Sequence, residues 1–311
     1  MNPSSRIRRP VTAGIFYPSE RQALKARVES LLQEASSLSR VREVLKKISG
    51  APGPPLLMLP HAAYEYTGLH MASAFAVLVE FLSGKSPASP PPAEAGEGNG
   101  TVPERIILSA VVHRDQSEHI YLPESDFFQS PLGNQACDRE LIDQLEGRHP
   151  CIKLEDLPFR EEYSLELPLP FLSLLFPDVP ILPILLGSNS LNLSRILEQR
   201  LLESVGPSLE RTVFIVSSNL SEYTGGEKAT EQADRFIELL DNYSPHRFED
   251  ACREGKIGAC GRGPMAALLR LMGPDPEIFM LLSGSSGPIP PERREVKYGT
   301  FFCTARHTTI T

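Results

Sequence analysis

Pro55-Leu56-Leu57-Met58-Leu59-Pro60-His61 is the stretch whose reading decides the fold. Four consecutive apolar residues between prolines are too few for a helix and show no alternation. Such a run is a strand buried on both faces, and this one leads straight into a histidine. Working outward, residues 105–112 form a second run of the same kind and end at His113. Residues 179–186, 212–218 and 296–304 read as three more strands. Apolar residues at helical spacing fill the intervals, over 23–35, 68–82, 138–145, 191–205, 229–242 and 264–272. This alternation predicts an α/β fold, with a central, mostly parallel sheet covered by helices on both faces.

The chain has 311 residues, 41% of them hydrophobic, enough for one large core. We expect one domain over 1–311. Residues 84–103, rich in Pro, Ala, Gly and Ser, are read as a flexible surface insertion. Residues 9–18 read as an extended arm closed by a turn, with Ser19 as the N-cap of the first helix. A net charge of -8 argues against nucleic acid and against a polybasic grip on membranes. No apolar segment follows Arg6, Arg8 and Arg9, so no signal peptide is expected. The most apolar stretch, read as 165–187, is broken by prolines and too interrupted to span a membrane. Five scattered cysteines with no C-x-x-C pair argue against a disulfide framework. The expected location is the cytoplasm.

Polar residues able to do chemistry stand just past three strand ends: His61, His113 and the segment Asn219 to Glu222. In open α/β sheets ligands bind outside the carboxyl ends of the strands, so these groups can share one rim. A lone histidine is more often structural than a ligand; convergence of several groups is what marks a site. Cys260, in Gly258-Ala259-Cys260-Gly261, reads either as a thiolate ligand or nucleophile or as a small buried cysteine. Glu222 reads as a general base, a ligand or a carboxylate at a helix start. Neither a P-loop nor a G-x-G-x-x-G pattern is present. His70, His119, His149, His246 and His307 are read as surface or structural residues.

Six segments in order resemble the motifs of the MEMO family, relatives of the class III extradiol (LigB-like) dioxygenases. Arg9 to Pro18 resembles R-x-P-x-V-A-G-x-F-Y-P, and Pro60 to Gly68 resembles P-H-A-G-Y-x-Y-S-G. Ser130-Pro131-Leu132-Gly133 with Asp138 resembles T-P-L-G-x-x-x-x-D. Tyr163-Ser164-Leu165-Glu166, followed by Leu169-Pro170-Phe171-Leu172, resembles H-S-x-E-x-x-L-P-F-L. Ser217 to Tyr223 resembles S-S-D-L-S-H-Y, and Ala259-Cys260-Gly261 resembles the C-G turn. The resemblance implies a LigB-like sheet between helix layers. It places His61, His113 and Cys260 at the dioxygenases' iron-ligand positions, with iron as the first expectation and copper or zinc as alternatives. Tyr64, Arg114, Tyr163 and Asn219 would complete the pocket. Glu222 takes the acid–base position that the family gives to histidine, Asn219 replaces an aspartate and Tyr163 a histidine. These departures argue against ring cleavage and leave the metal triad intact. The implied function is metal binding with a redox or oxygen-dependent activity. The alternatives are a non-catalytic peptide-binding role, with Arg114 meeting an anionic group, and an accessory role beside AMMECR-type and radical SAM proteins.

Overall fold

The computed structural model describes residues 5–48, 53–84, 102–114, 116–147 and 149–305. The insertion expected at 84–103 falls almost wholly outside them, as does His307. Eight strands form the main sheet, in the order Glu277–Ser285, Lys297–Thr304, Leu56–Leu59, Thr212–Ser217, Arg105–Val111, Ile181–Leu186, Ile120–Leu122 and Ile152–Leu154. The four at the centre, from Leu56–Leu59 to Ile181–Leu186, run parallel. Their register sets Leu59 opposite Ser217, Ser109 opposite Val216 and Val111 opposite Leu186. All four carboxyl ends therefore open onto one rim. Every residue of Leu56–Leu59, Thr212–Ser217 and Ile181–Leu186 is buried, which is why these strands read as unbroken apolar runs. Glu277–Ser285 was not foreseen. It is a half-exposed edge strand whose apolar run, Ile278 to Leu282, gives way to Ser283-Gly284-Ser285.

Helices cover both faces. Phe301 and Phe302 are neighbours on one strand, so their side chains point to opposite sides of the sheet. Phe302 meets Phe81 of the helix Tyr64–Ser83, and Phe301 meets Phe236 of the helix Gly226–Asp241. Arg21–Ser37 packs on Tyr64–Ser83 in the first layer. Gly68 allows the approach, since a Cβ there would lie 2.8 Å from Leu31 Cδ1. Leu191–Val205 and Arg262–Leu271 pack together beyond the second face.

Tyr64–Ser83, and not the 165–187 region, is the one helix among the described residues that is long and apolar enough to cross a membrane. Its apolar residues are largely committed to the core, where Phe75 stacks on Phe171 at 5.1 Å. The first helix is capped by Glu20 instead of Ser19. The Glu20 backbone is extended and its carboxylate accepts from Ala23 N at 2.7 Å.

The N-terminal arm is extended only where Ile7–Arg8 pairs with Phe127 and Phe128. From Thr12 it turns back on itself, with Phe16 N bonded to Thr12 O and Gly14 N to Tyr17 O. One buried carboxylate explains the turn. Glu166 accepts from Val11 N (2.8 Å), Thr12 N (2.9 Å), Thr12 Oγ1 (2.6 Å) and Tyr17 Oη (2.7 Å), and pairs with the buried Arg8 guanidinium. Burial opposes ionisation of Glu166, but Arg8 and these donors hold its carboxyl below the usual range. Arg8 also donates to Phe159 O and Glu162 O, both at 2.9 Å. Removing Glu166 strands a buried guanidinium together with the arm's donors, whereas removing Arg8 leaves the carboxylate four partners. Glu166→Leu is expected to lower unfolding free energy by at least about 3–5 kcal/mol. Arg8→Met should cost less. Denaturant titration of the two variants checks the order.

Candidate metal centre

Each of the four parallel strands hands a segment to the rim. His61 follows Leu56–Leu59, His113 follows Arg105–Val111, Ser218 and Asn219 follow Thr212–Ser217, and Asn189 follows Ile181–Leu186. Cys260 arrives from the turn before the helix Arg262–Leu271. One donor atom each from His61, His113 and Cys260 lies within 4.8 Å of the others. Bonds of about 2.0–2.3 Å in a tetrahedral site put donors roughly 3.4–3.8 Å apart. Cys260 Sγ and His61 Nε2 stand 3.5 Å apart, so the donors fit around one ion with little movement.

Hydrogen-bond direction fixes which nitrogens are offered. Ser217 Oγ gives its proton to Ser164 O at 2.8 Å, so at 2.9 Å it accepts from His61 Nδ1–H. A carboxylate only accepts, so His113 Nδ1 donates to Glu162 Oε2 at 2.8 Å, as does the His113 backbone N at 3.0 Å. Both rings therefore turn Nε2 toward the sulfur. They stand perpendicular, with centroids 5.1 Å apart. Such outer partners orient and strengthen imidazole ligands.

The cysteine is held as firmly. Its sulfur accepts from Asn219 N at 3.2 Å. Asn189 bonds Cys260 O at 2.9 Å and Gly263 N at 2.7 Å, and Gly261 N donates to Ser218 Oγ at 2.8 Å. A Cβ at Gly261 would lie 2.7 Å from Ser218 Cβ and 2.9 Å from Ser217 O, so this close approach needs glycine.

The charges follow from the packing. Burial pushes the Cys260 thiol up, but the two imidazoles outweigh it and hold the group well below its ordinary value. Cys260 and Glu162 push His113 up to about 10. Burial works against the Glu162 carboxylate, yet its bonds to His113 bring it down to about 2. The packing thus favours a thiolate, an imidazolium and a buried carboxylate, with His113 between the other two.

The sequence-predicted residues divide. His61, His113 and Cys260 come together. Asn219 lines the adjoining cavity of about 670 Å³ and accepts from His61 N at 3.1 Å. Tyr163 also lines it, its ring parallel to His113 with centroids 6.0 Å apart. Glu222 stands on the rim, its side chain 58% exposed and shared by Lys228 and Gln232.

Two expectations need correction. Tyr64 does not line the cavity. It opens a helix whose inward stripe continues through Gly68, Met71 and Phe75, and its hydroxyl donates to Leu167 O at 2.6 Å. Tyr66 lines the wall instead. Arg114 is exposed one residue beyond His113, whose ring bonds Glu162, and the cavity's guanidinium belongs to Arg262.

Sequence reasoning missed Glu162, Ser217, Asn189 and Arg262. Glu162 directly precedes the Tyr163-Ser164-Leu165-Glu166 motif and Asn189 follows a predicted strand, so both carried a positional signal. His70, by contrast, is structural as expected: it is buried, its Nδ1 lies 2.9 Å from Thr300 Oγ1, and burial lowers it to about 4.

An α/β chain with a two-histidine, one-cysteine cluster at the carboxyl rim of a parallel sheet is the class defined so far. Comparison with known proteins gives the family. Residues 8–282 match the family described as Memo-like protein, and the chain belongs to it. A MEMO1 family protein of Methanobrevibacter smithii is 24% identical over 266 residues, covering 85% of this chain and 87% of its own. Another, from Methanococcoides burtonii, is 29% identical over 266 residues, with 85% and 86% covered. The crystal structure of an uncharacterized Escherichia coli K12 protein aligns with a TM-score of 0.46 at 12% identity, over 80% of this chain and 99% of that one.

Glu162 stabilises the imidazolium form of His113, so neutralising it must lower the histidine's pKa. In metal-free protein, NMR titration of Glu162→Gln is expected to show His113 losing its proton well below its native value of about 10.

Proposed function

We propose that this protein binds one metal ion through His61 Nε2, His113 Nε2 and Cys260 Sγ. Iron is the first candidate, with copper and zinc as alternatives. The proposed role is redox or oxygen-dependent chemistry on an organic substrate, in a pocket related to that of LigB-like dioxygenases. One observation carries the reading: both histidines have their Nδ1 protons committed, to Ser217 and Glu162, so both offer Nε2 toward the same sulfur. Structural histidines have no need of that agreement. Two imidazoles and a thiolate suit borderline metals over calcium or magnesium.

When bound, such an ion supplies Lewis acidity or electron transfer. The chain's own residues do the rest. Ser217 and Glu162 keep the ligands aimed. Tyr163 presents a hydroxyl with no protein partner among the described residues, and burial, then the Glu162 charge, keep it protonated as a hydrogen-bond donor. Glu222, on the same cavity wall, is the candidate proton acceptor. A second reading, capture of a peptide or of AMMECR-type and radical SAM partners, finds support in the exposed rim. Tyr66, Tyr223 and Ile289 are 43%, 50% and 40% exposed there.

Elemental analysis of untagged protein purified without chelators is expected to find about one equivalent of metal. His61→Ala and Cys260→Ala should each lower metal affinity at least about 100-fold, and Glu162→Gln about 10–100-fold, as for loss of an orienting partner. Competition with a chromogenic chelator measures all three. Unchanged affinity in both ligand variants would sink the assignment.

A further inference from the structure

Two hydrogen-bond donors in the wall beside the metal centre, Asn219 Nδ2 and the Tyr163 hydroxyl, have no acceptor among the described residues. The amide's direction is fixed by its other end. Asn219 Oδ1 accepts from His61 N at 3.1 Å, a place only an oxygen can take, so Nδ2 is the atom left over. Neither donor is sealed in the interior, where an unpaired polar group is costly. Both residues line the cavity, so both donors open into it. Both also stand against His61. Asn219 holds its backbone, and Tyr163 is edge-on to its ring with centroids 6.0 Å apart. Tyr163 is equally close to His113, at 6.0 Å.

Acceptors on the same wall are already engaged. Cys260 Sγ takes the Asn219 backbone N–H and belongs to the triad, and Glu222 is shared by Lys228 and Gln232. Three protein ligands leave a tetrahedral ion one open position. The aspartate that the motif resemblance implies at 219 could also accept from His61 N. Its second, charged oxygen would then face the cavity where Asn219 presents a donor.

We infer that Tyr163 and Asn219 are specificity-determining residues, donating hydrogen bonds to the small ligand that fills the metal's open position. They favour a ligand with lone pairs beyond the one given to the metal. The inference rests on the metal reading.

The test is titration of the full chain, loaded with cobalt(II) as a coloured stand-in for zinc, with azide and with pyridine. Bound azide keeps lone pairs, and bound pyridine keeps none. Tyr163→Phe and Asn219→Asp should each weaken azide about tenfold or more. Cobalt stoichiometry should stay that of the native chain in both variants, and pyridine affinity should be unchanged in Tyr163→Phe. Unchanged azide affinity in either variant, or azide and pyridine weakened alike by Tyr163→Phe, would overturn the inference and leave the metal reading standing. A native chain that takes up no cobalt would refute the metal reading and this inference with it.

Discussion

The buried carboxylate of Glu166 is the constraint on which the rest of the centre depends. It gathers Arg8, the Val11 and Thr12 amides, the Thr12 hydroxyl and the Tyr17 phenol around one charge. A carboxylate out of water is tolerable only with such a complement, and losing one partner exposes the cost of the others. The clamp ties the N-terminal arm to the 159–166 segment, and Arg8 reaches on to the Glu162 carbonyl. Glu162 then holds His113, Ser164 O holds Ser217, and Ser217 holds His61. The orientation of both imidazoles thus descends from a charge that touches neither of them.

The sheet supplies the other half of the arrangement. Four parallel strands in close register end together, so residues more than a hundred positions apart meet on one rim. The scaffold positions side chains without needing them to pack on one another. Tyr163, Glu222 and Asn219 are the positions where the motif resemblance implies departures from the family. Each sits on the cavity wall, and none supplies a donor atom to the cluster.

The central strands and the two histidines were legible in the sequence because both signals are local, whereas Cys260, which follows no strand, was singled out by the motif resemblance. A strand buried on two faces must be continuously apolar, and a residue that follows its end stands on the rim. What stayed hidden depends on partners distant in sequence. The Glu162 carboxylate is defined by His113, 49 positions away, and Asn189 by Cys260, 71 positions away. Tyr64 and Arg114 were misplaced because nearness in sequence to a ligand says nothing of side-chain direction. Two residues along one helix separate Tyr64, in the core, from Tyr66, on the wall. The Glu20 cap was missed because its carboxylate does what the shorter Ser19 was expected to do, one position later. The edge strand Glu277–Ser285 was missed although Ile278 to Leu282 is an unbroken apolar run.

The central claim is that two imidazole Nε2 atoms and one thiolate share an ion. X-ray absorption at the zinc edge of zinc-loaded protein tests it most directly. The account predicts one sulfur scatterer at about 2.3 Å and two nitrogen scatterers near about 2.0 Å with imidazole outer shells, the sulfur disappearing in Cys260→Ala. A first shell of oxygen and nitrogen alone, or a sulfur signal that survives Cys260→Ala, would contradict it.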